Sequence, residues 1–310
     1  MSTLKTAAAG DTRHHSLGGN ARIGAARRWH RPRSAGWLGV APLLLFTAVV
    51  FGLSAGTMVF GAFTTPDTAP GGARLTTANM SASLHGPHLT ALLGSVKLSA
   101  VSALIAAIVG LPLAHAVVTS RFRALREAVL AGAGVLANFG GVPLAFAFVA
   151  TLGNAGVLTS QFHLADHGWS LYSFWGLTLV YLYFLVPLMV LTLTPALEGL
   201  RRQWREAAHN NGASTFQYWT HVALPILMPS LLGGYVLLFG TAFSAYATAA
   251  AMVGSSVPLV TMQIADALSG DVLVGEGNVA LALGVDMVLV AGLVMAIHLP
   301  LHRRSARWLA

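Results

Sequence analysis

The stretch Glu206-Ala207-Ala208-His209-Asn210-Asn211-Gly212, followed after nine residues by Val222-Ala223-Leu224-Pro225, lies in a polar part of the chain. It separates two long apolar runs, one of which ends near Pro195 while the other begins at Leu224. Apolar runs of about twenty residues are typical of membrane-spanning helices. The polar stretch between them must therefore lie outside the bilayer, and its ordered spacing indicates that it contacts another molecule there.

The composition of the 310-residue chain also indicates a membrane protein: 55% of the residues are hydrophobic, 9% are charged, and the mean hydropathy is +0.68. A soluble domain typically contains about 25% charged residues. The apolar runs lack the period-two alternation of barrel strands. The net charge of +8 comes from clusters at the ends of apolar runs, so it does not predict nucleic-acid binding. The absence of cysteine excludes disulfides and thiolate metal sites.

Six apolar runs predict an all-α, polytopic membrane protein with six transmembrane helices. The runs cover residues 37–63, 89–118, 128–152, 171–195, 224–253 and 279–301. The first is far longer than the apolar core of a signal peptide, so we interpret it as a retained transmembrane helix. The third contains Asn138-Phe139-Gly140-Gly141-Val142-Pro143, whose glycines and proline predict a kink.

The basic residues predict the orientation of these helices. Sixteen of the 18 Lys and Arg residues fall on one side of the six-helix topology, and only Arg74 and Lys97 do not. The positive-inside rule then places both termini in the cytoplasm. The predicted organisation is a disordered basic cytoplasmic tail (1–36), a first transmembrane helix (37–63), a periplasmic loop (64–88), a transmembrane domain of five helices (89–301) interrupted by a cytoplasmic loop (197–223), and a cytoplasmic tail (302–310).

Several polar residues inside the apolar runs are candidates for a substrate pathway, because charged groups within a bilayer usually face the protein interior or water. Lys97 and Asp286 lie at similar depths, which permits an ion pair, although Lys97 could instead extend alone to the outer interface. The remaining candidates are Asn138, Tyr181, Tyr183, Ser244 and Tyr246. Helix packing through polar groups would also explain these residues.

No constellation of catalytic side chains is present, and no glycine-rich phosphate loop ending in Gly-Lys-Ser/Thr occurs. We therefore expect neither an enzyme nor a chain that holds a cofactor. His163 and His167, with Asp166 between them, could form a metal-binding helix face. A solvated loop without a third ligand is the interpretation that we favour, so we predict no metal site.

The pattern E-A-A-x3-G-x9-V-x-L-P in Glu206–Pro225 closely resembles the signature of the integral membrane subunits of binding-protein-dependent ABC importers, the MetI-like transmembrane domain family. The family form has an isoleucine or similar aliphatic residue where Val222 stands. The resemblance covers roughly residues 90 to 300 and implies an inner-membrane permease subunit. Its implied partners are a cytoplasmic ATPase dimer, a second permease subunit (identical or homologous) and an extracytoplasmic solute-binding protein.

The resemblance also assigns roles to the residues of the stretch. Glu206 and Gly212 match the motif, Ala207 and Ala208 would pack beside them in a groove of the ATPase subunit, and Leu224 and Pro225 complete the pattern. Closure of the ATPase on ATP would then move this stretch and switch the transmembrane cavity between its two openings.

Three aromatic residues in the same stretch, Phe216, Tyr218 and Trp219, are poor choices for a solvated loop and predict anchors of a protein interface. The alternative is an amphipathic helix whose aromatic side chains face lipid headgroups. The alternative from a different class of protein is a transporter or channel driven by an ion gradient. Inverted repeats with broken helices in corresponding positions would favour this alternative, and the sequence shows no such repeat.

A finer resemblance concerns the transported solute. Residues 138–146 and 153–156 look like segments from permeases of polyamine, iron(III) and aminoalkylphosphonate importers. A polyamine or a similar small solute is therefore expected. Acidic residues predicted on the outer side, Asp166, Asp266, Asp271 and Glu276, would suit a cationic substrate, but the positive-inside rule tolerates them for any substrate.

Overall fold

The computed structural model describes residues 35–65, 74–252, 256–269 and 277–306, with side chains described between residues 40 and 300 of these ranges. All but the last two residues of the predicted tail 1–36 lie outside the described residues, as do Asp271 and Glu276. The chain divides between Phe51 and Gly52 into two compact units. The first contains the beginning of helix α1, and the second contains the rest of the described chain.

The described residues are helical apart from short connections and one isolated bridge between Thr64 and Leu75, which confirms the all-α prediction. The helices are α1 (Ala35–Ala62), α2 (Ala78–Ser83), α3 (Gly86–Thr119), α4 (Arg123–Asn138), α5 (Val142–Leu152), α6 (Val157–Phe162), a 3₁₀ turn (Leu164–His167), α7 (Phe174–Glu198), α8 (Arg202–Asn210), α9 (Thr215–Tyr218), a π-helical turn (Trp219–Ala223), α10 (Leu224–Phe243), α11 (Ala247–Met252), α12 (Val260–Ser269) and α13 (Gly277–Ala306).

Six helical segments of the described chain are long and apolar enough to cross a membrane, as predicted. They are 40–62, 86–119, 142–162, 174–198, 215–243 and 277–300. Large apolar side chains such as Leu104, Ile108 and Leu293 are more than half exposed on these spans. Such a surface suits hydrocarbon rather than water.

Two apolar runs are divided into separate helices; a kink was predicted in the third run but not in the fifth. The third run is divided into α4 and α5 by the Phe139–Gly141 turn, and Gly141 has a φ of +78° that an L side chain would disfavour. The fifth run stops at Phe243 and resumes at Ala247. The loop predicted at 197–223 is also largely helical: α7 extends to Glu198, and Ser214 and Gln217 form a capping box that starts α9.

Helix α7 lies at the centre of the second unit, where it packs against α3, α4 and α10. Its side chain Met189 is fully buried between two glycines of neighbouring helices. A Cβ atom at Gly110 of α3 would lie 2.8 Å from Cβ of Met189, and one at Gly234 of α10 would lie 2.8 Å from its Sδ. These glycines therefore permit α3 and α10 to approach α7 closely.

The two glycines should respond differently to the same substitution. Gly110→Ala should lower the stability of the bundle by about 1–3 kcal/mol, because its new methyl group meets an atom that cannot move away. Gly234→Ala meets the end of a flexible side chain and should cost less. In a double-mutant cycle with Met189→Ala, the cost of Gly234→Ala should disappear while that of Gly110→Ala remains. Thermal unfolding in detergent measures both, and equal behaviour of the two glycines would contradict this packing.

Candidate motif surface and transport cavity

The motif segment, residues Arg202–Pro225, begins with α8 and turns back at a glycine. Gly212 has a φ of +79°. Its N–H donates to the carbonyl of His209 over 2.9 Å, and the N–H of Ala213 donates to the carbonyl of Ala208 over 3.0 Å. This pair of bonds is the Schellman arrangement that ends helices at a left-handed glycine. The spacing between Ala208 and Gly212 is thus the spacing of a helix end, and it directs the chain into α9.

Helix α8 presents motif residues at the surface of the chain. The Nε of Arg202 donates to Oε1 of Glu206 over 2.9 Å, and the two side chains are 90% and 58% exposed. An exposed pair one helical turn apart contributes only about 0.3–0.5 kcal/mol. Ala207 and Gly212 are exposed as well, and Ala208 is half-buried. The interior of this chain therefore makes little use of Glu206, which remains available to a partner.

The three aromatic residues of the motif segment separate into two groups. Phe216 is 76% exposed, whereas Tyr218 is buried and Trp219 is half-buried. The Trp219 ring meets the His115 ring edge-on, with 4.8 Å between ring centroids. Tyr218 and Trp219 thus hold the motif segment against its own chain, while Phe216 remains a candidate anchor for another protein.

The motif segment lies at the end of the bundle where α3 and α7 finish. One cavity is lined by the last turns of both helices and by residues of α8 and α9. Arg126 of α4 forms an ion pair with Glu198, which ties the start of α4 to the same end. From α9 the chain continues through the π-helical turn into α10 without a break from Thr215 to Phe243. Leu224 is half-buried and Pro225 is exposed, directly after the π-helical turn.

At the far end of α10 the two helix breaks meet. The N–H of Gly141 donates to Oγ1 of Thr248 over 2.9 Å, and the hydroxyl of Thr248 donates to the carbonyl of Gly141 over 3.4 Å. The hydroxyl of Tyr181, on α7, donates to the carbonyl of Ala245 over 3.2 Å. These bonds supply partners for backbone groups that the breaks release from their helices, as an apolar surrounding requires.

A cavity of about 330 Å³, the break cavity, lies beside these breaks. It is lined by Ala137, Asn138, Gly140, Gly141, Phe184, Thr241, Ala245, Tyr246, Ala247 and Thr248. Among the residues that the structure describes, Tyr246 contributes the only ionisable side chain to its lining. The cavity is thus neutral and combines hydroxyl and amide groups with apolar walls.

Two of the pathway candidates, Asn138 and Tyr246, line the break cavity. Tyr181 supports the cavity wall through Ala245, and Ser244 lies next to the wall with its hydroxyl bonded to the carbonyl of Gly240. Tyr183 packs against Phe148 instead, with 5.8 Å between ring centroids.

The charged pathway candidates lie elsewhere and do not pair. Lys97 is exposed, and its Nζ is 5.1 Å from the centroid of the Phe174 ring. Asp286 is only 4% exposed, and its Oδ2 atom has no hydrogen-bond partner among the described residues. Among the described residues no ion pair joins Lys97 to Asp286. A similar depth in the membrane does not fix the direction in which each side chain leaves its helix.

The possible histidine face is not formed. Helix α6 ends at Phe162, and His163 adopts a left-handed conformation with a φ of +51°. His163 and His167 therefore do not share one helical face. In the ranges that the structure describes, no group of three His, Cys, Asp or Glu residues is arranged to hold a metal ion.

Sequence reasoning missed Thr248, Thr241 and Phe184 as residues of the cavity. Thr248 lies 107 residues from its partner Gly141. The one available signal was the length of the fifth apolar run, which at thirty residues exceeds what one span needs.

Residues 142–307 match the family model described as a binding-protein-dependent transport system inner membrane component. The chain belongs to this family. It is accordingly a multi-pass permease of the inner membrane, and the match includes the motif segment and both sides of the second helix break.

Curated relatives of this permease transport different solutes. It is 28% identical over 210 residues to the molybdenum transport system permease protein ModB of Mycobacterium tuberculosis, covering 66% of the permease and 76% of ModB. It is 34% identical over 89 residues to the probable sulfate transport system permease protein cysT of Prototheca wickerhamii, covering 29% and 34%. It is 38% identical over 78 residues to the spermidine/putrescine transport system permease protein PotB of Haemophilus influenzae, covering 25% and 27%.

The fold is similar to a chain of a bacterial ABC transporter involved in the import of the acidic polysaccharide alginate. The TM-score is 0.68 at 17% identity, and the similarity covers 87% of the permease and 96% of that chain. A second structure of a bacterial alginate transporter, in complex with an alginate pentasaccharide-bound periplasmic protein, gives a TM-score of 0.67. At this level of identity, the similarity establishes the fold alone.

The stability of the protein should depend on the hydroxyl group of Thr248 and not on the volume of its side chain. Thr248→Val should lower the free energy of unfolding by about 1 kcal/mol, because it removes the partner of the Gly141 N–H. Thr248→Ser should remain close to wild type. Thr194→Val is a matched control, since the buried hydroxyl of Thr194 bonds only within its own helix. Thermal unfolding in detergent measures the difference, and equal losses for both valine variants would show that the bond between the breaks contributes nothing.

Proposed function

We propose that this permease forms part of a substrate pathway through the inner membrane and receives its energy from a separate cytoplasmic ATPase subunit at the motif segment. The observation that carries the proposal is the exposure of Glu206 and Phe216 on the motif segment, whose α9 runs without interruption into a membrane-spanning helix. Exposed motif residues that contribute little to their own fold are the residues expected at a partner interface.

The charge at this end of the bundle supports a cytoplasmic location for the motif segment. Two basic clusters meet there, one before and within the start of α4 and the other around the start of α8. Their members are Arg121, Arg123, Arg126, Arg201, Arg202 and Arg205. Basic residues concentrate on the cytoplasmic side of membrane proteins. The proposed orientation therefore places both termini in the cytoplasm and residues 64–88 in the periplasm.

Helix α10 offers a route from the motif segment to the break cavity. The continuous helical segment from Thr215 to Phe243 has 29 residues. A helix of that size is roughly 40 Å long. At one end it carries the motif segment, and at the other it contributes Thr241 to the cavity wall. A displacement of the motif segment by an ATPase would thus be transmitted to the cavity by a stiff element.

The proposed assembly contains two permease subunits, identical or homologous, and an extracytoplasmic solute-binding protein that delivers the substrate. Family membership and the alginate transporter described with a periplasmic protein support these partners. The break cavity of this chain would then form part of a pathway that the two permease subunits enclose together.

A polyamine remains the proposed substrate, supported by the similarity to PotB. The neutral lining of the break cavity contains no carboxylate to attract a polycation, so substrate selection would reside in the binding protein. Uptake of radiolabelled spermidine by cells that express the assembled importer tests this assignment. Failure to accumulate spermidine would remove the polyamine assignment and leave the permease proposal standing.

A transporter driven by an ion gradient is the second candidate, because broken helices occur in such transporters. The two breaks in this chain are the observation that favours it. The two candidates differ in their response to ATP depletion, which would stop uptake only by an importer that depends on an ATPase.

Reversing the charge of Glu206 should disrupt docking of the ATPase. We expect Glu206→Lys to lower ATP-dependent uptake at least about tenfold, equivalent to about 1.4 kcal/mol of docking free energy. The amount of ATPase that co-purifies with the permease should fall in parallel. Arg202→Ala is the matched control, since it breaks the same surface ion pair but leaves the Glu206 carboxylate in place.

The control decides between docking and helix stability. Arg202→Ala should change uptake less than about twofold, because such a pair contributes little to stability. If Arg202→Ala reproduced the loss, the intrahelical pair would explain it. Normal uptake and normal ATPase recovery with Glu206→Lys would show that the motif segment is not the docking site.

A further inference from the structure

A cationic cavity, the basic pocket, lies between the motif segment and the ends of α3 and α7. Its volume is about 300 Å³. Its lining includes the ionisable residues His115, Glu198, Arg201, Arg202 and Arg205 as well as Trp219. It is distinct from the break cavity, with which it shares no lining residue.

The positive charge of the basic pocket is only partly balanced. Glu198, the acidic residue in its lining, forms an ion pair with Arg126, and Arg202 is paired with Glu206. Neither Arg201 nor Arg205 forms an ion pair with any residue that the structure describes. Arg201 and Arg205 therefore add positive charge to the lining of one small cavity that no ion pair balances.

The environment of Arg201 leaves its hydrogen-bond donors available. Its guanidinium carbon lies 5.7 Å from the centroid of the Trp204 ring. The Arg201 guanidinium makes no hydrogen bond or ion pair with any residue that the structure describes, so its N–H groups remain available beside this cation–π contact. Planar guanidinium groups with free edges bind phosphate through paired hydrogen bonds.

The depth of the basic pocket suits a lipid headgroup. Val118 and Thr119 are the last residues of one candidate span, and Leu197 lies one residue before the end of another. Spans end where the hydrocarbon meets the headgroup layer. The walls formed by Val118, Leu197 and Leu200 are apolar, which would accommodate the start of an acyl chain below a phosphate.

We propose that the basic pocket binds a phosphate group through Arg201 and Arg205. An anionic phospholipid of the adjoining leaflet is the source that the depth and the apolar walls favour, and a soluble phosphate is the other source. Because His115 of α3 and Leu197 of α7 line the same pocket, a phosphate held by Arg201 and Arg205 lies between α8 and the ends of these membrane helices. The phosphate site requires no ATPase, so its test is independent of the proposal that an ATPase docks at the motif segment.

The test uses the purified full-length chain in a neutral detergent. Two probes are titrated, short-chain dihexanoylphosphatidylglycerol and inorganic phosphate, and native mass spectrometry counts the molecules retained. The pocket variant Arg201→Gln/Arg205→Gln is compared with Arg121→Gln/Arg123→Gln, which removes the same charge from exposed residues at the same end. Arg201→Lys/Arg205→Lys keeps the charge and shows whether the paired geometry of guanidinium is needed.

We expect wild type and the Arg121→Gln/Arg123→Gln control to retain one phosphatidylglycerol. The pocket variant should bind it at least about tenfold more weakly, since two of the positive charges that attract the phosphate group are lost. Retention of inorganic phosphate with the same dependence on Arg201 and Arg205, without lipid retention, would support the phosphate site with a soluble source. Equal binding of both probes by the pocket variant and the control variant would overturn the proposal.

Discussion

The hydrogen bonds between Gly141 and Thr248 join two helices that break within the apolar part of the chain, and the break cavity depends on them. Hydrocarbon offers no partner to a free N–H or carbonyl, so a helix can break at this depth only where the protein supplies one. Thr248 supplies it for one break, and the Tyr181 hydroxyl supplies it for the other. Thr248, which stabilises one break, also lines the cavity, together with Gly141 and Ala245 at the breaks themselves.

Helix α10 connects this cavity to the motif segment. Buried Tyr218 and half-buried Trp219 fix the base of α10 to its own chain, while Phe216, only two residues away, faces outward. At the other end of α10, Thr241 lines the cavity. Close packing of α7 against Gly110 and Gly234 leaves little space for α10 to bend independently. In the proposed mechanism, force applied at the motif segment therefore moves the cavity wall rather than being absorbed between them.

The fold class and the number of spans could be predicted because the length of an apolar run reflects the thickness of a bilayer. The first break was foreseeable from Gly140, Gly141 and Pro143, but the second lies at Ser244–Tyr246, where no glycine or proline marks it. The Tyr181 hydroxyl, which bonds to the Ala245 carbonyl at this break, is 64 residues away, and tertiary contacts of that kind leave no local pattern. The proposed pair of Lys97 and Asp286 fails for a related reason: sequence gives depth along a helix, but not which neighbour each side chain meets. The sequence also could not predict that Phe216 is exposed while Tyr218 is buried, because α9 is too short to show a helical periodicity.

Cross-linking from position 216 tests the central claim, that the motif segment is where an ATPase subunit docks. Because the chain has no cysteine, Phe216→Cys introduces a single thiol that can carry a maleimide-linked photoreactive benzophenone. Ser160→Cys, an exposed position in α6 before the start of α7, is the control. In membranes that contain the assembled importer, illumination should link residue 216 to the ATPase subunit and leave residue 160 unlinked to it. A cross-link from residue 160 as strong as that from residue 216, or none from residue 216, would contradict the account.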